Sequence, residues 1–181
     1  MEKLEYNKLQ RFTRNPSYRT NVEWNHLEHT LQRWEERSEG LAALDLDPDF
    51  QRGHVWTPEQ QSRYIEYVLQ GGKSGRDIYF NCNGWQGSYK GPFVIVDGKQ
   101  RLHAVREYLA NKVPIFGGHY HKDIEGKPWQ AEFIFYVNDL RTKAEVLKWY
   151  LEMNTGGTPH SEAEINKVKE MLTIETLTSN I

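Results

Sequence analysis

The chain has 181 residues, 38% of them hydrophobic, 13% aromatic and 27% charged, with a formal net charge of −2. Those values fit a soluble chain with one hydrophobic core and exclude a disordered polymer or a polycation that coats DNA by charge alone. Six Trp and ten Tyr leave core packing and base stacking equally open.

The first residues form a modest basic arm, with Lys3, Lys8, Arg11, Arg14 and Arg19 set against Glu2 and Glu5. It reads as a solvated terminus or a local phosphate contact. Trp24, Leu27, Leu31 and Trp34 then recur at helical spacing in "NVEWNHLEHTLQRWEERSEG", with Gly40 as the stop. "LDLDPDFQRGHVW" is broken by Pro48 and Gly53 and reads as a loop. Thr57-Pro58 supplies a cap and first helical residue for "PEQQSRYIEYVLQ", whose apolar face carries Tyr64, Ile65, Val68 and Leu69.

"DIYFN", "FVIVD" and "AEFIFYVND" are strands by β-branched and aromatic content. "RLHAVREYLANK" and "TKAEVLKWYLEM" return to helical periodicity, and a last helix follows Ser161 with Glu164 in capping-box register. The order predicts an α+β fold, a small sheet packed with several helices, as a single domain over 1–181. Within it, 1–44 is an arm and helix, 45–168 the core, and 169–181 the end of the last helix.

Three polar stretches carry candidate chemistry. "VDGKQRL" places Asp97, Gly98, Lys99, Gln100 and Arg101 between a strand and a helix, where the first helical N–H groups lack partners and attract anions. Asp97 beside a phosphate needs a cation, a ribose hydroxyl or a water to act on, which favours nucleotide chemistry; on spacing alone, Asp97 as an N-cap and Arg101 as a surface charge stand equally open. "DFQRGHVW" combines Gln51, Arg52 and His54 with Phe50 and Trp56, rings that either stack on a base or pin the loop. "NTGGTP" sets Asn154, Gly156 and Gly157 in a turn that is a second anion nest or a plain helix–helix connection.

In this order, "PDFQRGHVWTPEQQSRYIEYVL", "FVIVDGKQRLHAVREYL" and "NTGGTPHSEAEI" resemble the successive motifs of the GmrSD-type restriction N-terminal domain family, with its DGQQR motif, in the ParB/sulfiredoxin-like superfamily. The likeness spans about residues 45 to 168. It implies a ParB-like small mixed sheet with helices and an activity of NTP binding and hydrolysis, often joined to a separate nuclease domain. It implies Asp97 as the catalytic or Mg²⁺-linked carboxylate and Arg101 as its catalytic partner on the phosphates. Gln51, Arg52, Gly98, Lys99 and Gln100 would handle phosphate, and Asn154, Gly156 and Gly157 would close the pocket. Lys99 stands where the family usually has Gln, and His160 where it tends to have Leu. No length remains for a nuclease module, so the expected partners are an NTP, DNA, or a separate effector protein.

Other signals point away from rival chemistries. "GGKSG" follows a helix and lacks the upstream glycine of a phosphate-binding loop. His119, His121 and Asp123 lack a fourth ligand, and Cys82, the one cysteine, lies outside the "DGKQR" turn, so neither zinc nor cysteine sulfinic chemistry is expected. With no disulfide, signal peptide or spanning segment to read, the chain is expected in the cytoplasm and off the membrane. An NTPase reading thus leads; a ParB-like DNA nuclease or nickase, and a non-catalytic sensor of a nucleotide or modified DNA, are its rivals.

Overall fold

The computed structural model describes residues 18–37, 44–85, 87, 91–126, 131–155 and 162–178. Strands β1 (Tyr18–Glu23), β2 (Leu44–Asp45), β3 (Asp77–Asn81), β4 (Phe93–Asp97) and β5 (Glu132–Asn138) make one sheet in the order β1-β5-β3-β4-β2. Pairing is mixed: β1–β5 and β3–β4 are antiparallel, β3–β5 and β2–β4 parallel. The helices are α1 (Leu27–Arg37), α2 (Pro58–Leu69), α3 (Lys99–Leu109), α4 (Lys143–Thr155) and α5 (Glu162–Thr178). This is the expected α+β class.

The sheet is covered on both faces because its strands alternate apolar residues in two directions. Ile78, Phe80, Phe93, Ile95, Phe133 and Phe135 pack into one core with Leu27, Leu31 and Trp34 of α1, Ile65 and Val68 of α2, and Leu102 and Val105 of α3. Trp34 stacks on Phe93 at 4.5 Å and meets Phe80 edge-on at 5.1 Å. Val96 faces the other way, into a second core with Leu147, Trp149, Tyr150, Val168 and Phe50. β4 therefore sits between two cores, and its C-terminal end is held from both sides.

Two strands were not expected. Residues 18–23 extend the sheet edge alongside β5, whereas the helical reading began at Asn21; α1 begins only at Leu27, after a short 3-10 turn. The helical spacing was nevertheless real, since Trp24, Leu27, Leu31 and Trp34 are all buried. Arg19, read as part of a basic arm, lies over the Tyr136 ring at 5.9 Å. Leu44–Asp45 adds a two-residue strand inside the segment read as loop. Residues 1–17, Gly40, Gly156, Gly157, His160 and the Ser161 cap lie outside the described residues.

α2 starts where its sequence requires. The Thr57 hydroxyl accepts from the Gln60 N–H at 3.3 Å, the Gln60 side chain accepts from the Thr57 N–H at 2.9 Å, and Pro58 occupies the first turn. "GGKSG" is the turn from α2 into β3. Cys82, just past the end of β3, is buried, and burial pushes its thiol up to about 12. Asp123 accepts from the Tyr120 N–H at 2.8 Å and the His121 ring packs on Tyr108 at 5.1 Å. Among the described residues no group of three or more His, Cys, Asp or Glu side chains is placed to hold a metal, and no helix is long and apolar enough to cross a membrane.

Candidate functional site

β4 ends at Asp97 and α3 begins at Lys99, so Gly98 must turn the chain in a single residue. It does so at φ +94°, in left-handed backbone that L side chains avoid. The cap of α3 is therefore Gly98, with no side-chain cap bond, and not Asp97. Asp97 instead accepts from Arg101 Nη2 at 2.7 Å, one helical turn on. The Arg101 Nε is buried and has no hydrogen-bond partner.

A cavity of about 330 Å³ opens over this helix start. Its walls are Asp97, Gly98, Lys99, Gln100 and Arg101 from the turn, Gln51, Arg52 and Trp56 from the loop, and Tyr150 and Asn154 from α4. Gln51, Arg52, Asp97, Gly98, Lys99, Gln100, Arg101 and Asn154 thus meet at one opening, from segments up to about a hundred residues apart in sequence, whereas Phe50 and His54 do not line it. Asn154 is tied back to the Tyr150 carbonyl at 2.7 Å. Burial, with Glu164 adding to it, pushes the Tyr150 phenol up to about 12, so it stays a neutral hydroxyl.

Within that convergence the polar groups divide in a way the spacing did not reveal. Gln51 Nε2 donates to the Ile95 carbonyl at 2.7 Å. The Gln100 amide accepts from the Val55 and Trp56 N–H groups at 3.0 and 3.3 Å and donates to the Gly53 carbonyl at 2.9 Å. Lys99, only 4% exposed, bonds the Asp47 carboxylate and donates to the Arg52 carbonyl at 2.8 Å. Three side chains expected on phosphate are thus spent on the brace, Gln51 tying the loop to β4 and Lys99 and Gln100 tying it to α3. Lys143 on Asp49 at 2.8 Å and Lys167 on the Asp49 carbonyl at 2.7 Å hold the same loop from α4 and α5. Phe50 packs edge-on against Tyr150 at 5.3 Å and is a buried pin, not a stacking platform.

The groups left facing the opening are fewer: the Asp97 carboxylate, the Arg101 guanidinium, and Arg52, whose Nε stands 3.7 Å from Glu164. A brace this extensive fixes the loop before any ligand arrives, which lowers the ordering cost of binding. Lys99 bonding holds the Asp47 carboxyl below the usual carboxylate range. Asp47→Ala leaves a buried ammonium with one carbonyl partner; because Asp47 is itself largely exposed and screened, we expect a loss of about 1–2 kcal/mol in urea denaturation, less than for a fully buried pair. Asp47→Asn should recover part of it.

His54 on the loop stacks on His103 of α3 with ring centroids 3.7 Å apart. Burial holds both imidazoles below 6.5; His103 and Lys99 add to this for His54, and Arg106, Lys112 and Lys99 for His103, while Glu107 opposes both and Asp47 opposes it at His54. The unfolded chain therefore takes up protons first as pH falls below about 6.5. Stability should be full above that pH and decline toward the lower folded values. Thermal melts from pH 7.5 to 5 check this, and His103→Gln should flatten the decline.

Comparison with curated proteins and with solved structures gave no match. The family model described as "GmrSD restriction endonuclease, N-terminal domain" matches residues 35–133, which include the loop, α2, β4 and the Asp97–Arg101 turn and end before α4 and the third motif. Since that match covers more than half of the chain, and covers the elements that build the cavity's floor and loop wall, the protein belongs to the GmrSD restriction endonuclease N-terminal domain family.

Proposed function

We propose that the cavity binds the phosphates of a nucleoside triphosphate and that the chain hydrolyses it, as a regulatory or defence-related module. One observation carries the reading: three stretches far apart in sequence meet at the start of α3, where Arg101 keeps a buried, unbonded Nε beside Asp97. The backbone N–H groups of Lys99, Gln100 and Arg101 open the helix and suit an anion, and Arg101 and Arg52 supply charge on two sides of it. Lys99 and Gln100 then serve through their backbone while their side chains hold the loop.

Among the described residues, Asp97 is the only carboxylate in the cavity wall. A single carboxylate suits Mg²⁺ that arrives on the phosphate oxygens, with Asp97 as its protein ligand, rather than an ion held by protein alone. Such an ion would neutralise charge on the terminal phosphates. Asp97 orients a water and takes its proton as the water oxygen bonds the terminal phosphorus; the bond to the bridging oxygen breaks, and a nucleoside diphosphate and phosphate leave.

The family's description as a restriction endonuclease favours one second reading, a DNA phosphodiester at the same turn. Thermal melting with each of the four NTPs, with short DNA, and with or without Mg²⁺ separates the two, since a ligand that binds only the folded state raises its melting temperature. We expect a rise with NTP and Mg²⁺ and release of phosphate, in a cytoplasmic protein that passes its state to an effector. No shift with any NTP, together with plasmid nicking, would sink the NTPase reading.

A further inference from the structure

A second cavity, of about 490 Å³, lies behind the wall made by Trp56 and Arg101, two residues that also line the first. We propose that this second cavity receives the base of the bound nucleotide and that the base is a purine, guanine ahead of adenine. The proposal rests on the phosphate reading above and names the rest of the ligand.

The cavity is built from ring faces and two cations, Arg63 and the shared Arg101. Trp56, half-buried, tilts against Tyr64 at 5.4 Å, and the Tyr64 hydroxyl is spent on the Gly75 carbonyl at 2.7 Å, which fixes that wall. On the other side Tyr67 is 44% exposed, yet it is not loose. Its hydroxyl is hydrogen-bonded to Ser74 Oγ at 2.6 Å and accepts from the Ser74 N–H at 3.3 Å. One ring face lies against Gly72, where a β-carbon would stand 2.4 Å from the ring carbons. An aromatic ring pinned at its hydroxyl and backed by glycine offers its remaining surface to the cavity at little entropic cost.

Arg63 lies one helical turn before Tyr67 on the same exposed side of α2 and lines the same cavity. It makes no hydrogen bond or ion pair with any described residue, though its charge acts on the Glu59 carboxylate a turn earlier. Ring faces beside a guanidinium that makes no hydrogen bond suit a nucleobase, which uses both, whereas a second phosphate would leave the rings without a partner. A purine offers the larger ring face and an N7 acceptor that pyrimidines lack. Guanine adds O6 beside N7, matching the two parallel donors of arginine, whereas adenine sets an amino donor there. With phosphates at the start of α3, the sugar would rest against Trp56 and Arg101, which line both cavities.

Calorimetry on the whole chain with Mg²⁺ tests this, using non-hydrolysable analogues of GTP, ATP, CTP and UTP, and inorganic triphosphate as a probe without a base. The GTP analogue should bind at least tenfold more tightly than triphosphate or the CTP analogue, with ATP between them. Tyr67→Ala and Arg63→Ala should each lower GTP-analogue affinity about tenfold and move triphosphate affinity less than twofold. Tyr67→Leu, which keeps bulk without the ring, should behave as Tyr67→Ala does. Equal affinity for triphosphate and the GTP analogue, or indifference to Tyr67→Leu and Arg63→Ala, overturns the base assignment and leaves the phosphate site standing. Pyrimidines binding as well as purines overturns the purine assignment. Failure of triphosphate and all four analogues to bind overturns the phosphate reading and this one with it.

Discussion

Asp97→Asn should lower triphosphate turnover by about 10²–10⁴-fold while affinity for the metal-free nucleotide stays level or rises and affinity for the Mg²⁺ complex falls far less than turnover. Asparagine keeps the shape of the carboxylate and an oxygen to accept from Arg101 Nη2, now at 2.7 Å. It cannot take a proton from water. Removing a negative charge from the cavity wall removes repulsion toward the phosphates and also weakens the hold on Mg²⁺; the two oppose each other in binding, so the larger loss falls on kcat. Arg101→Ala should show the opposite balance, with affinity weakened about 10–100-fold, the span of a lost charge-assisted bond. Steady-state kinetics set against equilibrium binding separate the two. The double variant should cost less than the sum, because the two groups contact each other and Arg101→Ala already removes the bond that orients residue 97. Equal effects of both variants on affinity, with turnover retained in Asp97→Asn, would remove Asp97 from the chemistry.

Local signals in the sequence were sufficient where one element contains its own cause. "TPEQ" carries both halves of the α2 cap, and β4 and α3 are separated by the one residue type that tolerates φ +94°. β1 was missed because it is an edge strand with a single buried residue, Val22; its definition lies in backbone pairing to β5, more than a hundred residues away. β2, at two residues, is shorter than any periodicity can register. The same distinction runs through the site. That Asp97, Gly98 and Arg101 belong together is legible in "DGKQR", since they are neighbours on one turn. The attachment of Gln100 to residues 53–56 and of Lys99 to Asp47 joins segments 44 to 52 residues apart, and side-chain type alone reads equally well as phosphate contact or as brace. Arg63 and Tyr67, four apart on α2, had a signal of their own, a cation and a ring on the face opposite Ile65 and Val68. It went unread because the amphipathic pattern accounts for the buried face and asks nothing of the exposed one.

Gly98→Ala tests whether the turn is as constrained as its geometry requires, and the expected cost is about 3 kcal/mol in urea denaturation. Left-handed backbone costs an L residue about 1–2 kcal/mol, and forcing a group into a packed site about 1–3 kcal/mol more. Both apply here. A β-carbon on Gly98 would stand 2.5 Å from Ile78 Cδ1 and 3.2 Å from both Arg101 Nη2 and the Asp77 carbonyl. Gly75 is the control, since its φ of +70° carries the backbone cost while its nearest neighbour, Tyr64 Cε2, lies at an ordinary 3.6 Å. Gly75→Ala should therefore cost about 1 kcal/mol, and the difference between the two isolates the close approach. Equal costs would mean that Ile78 gives way freely and that the turn tolerates a side chain. If the difference is found, it bears on function as well as on stability: Ile78 is fully buried in the sheet core, so the cheaper relief is for the backbone at residue 98 to lift. Lifting it moves the first N–H groups of α3 and the Arg101 guanidinium together, and nucleotide affinity should fall at temperatures where the variant is still fully folded.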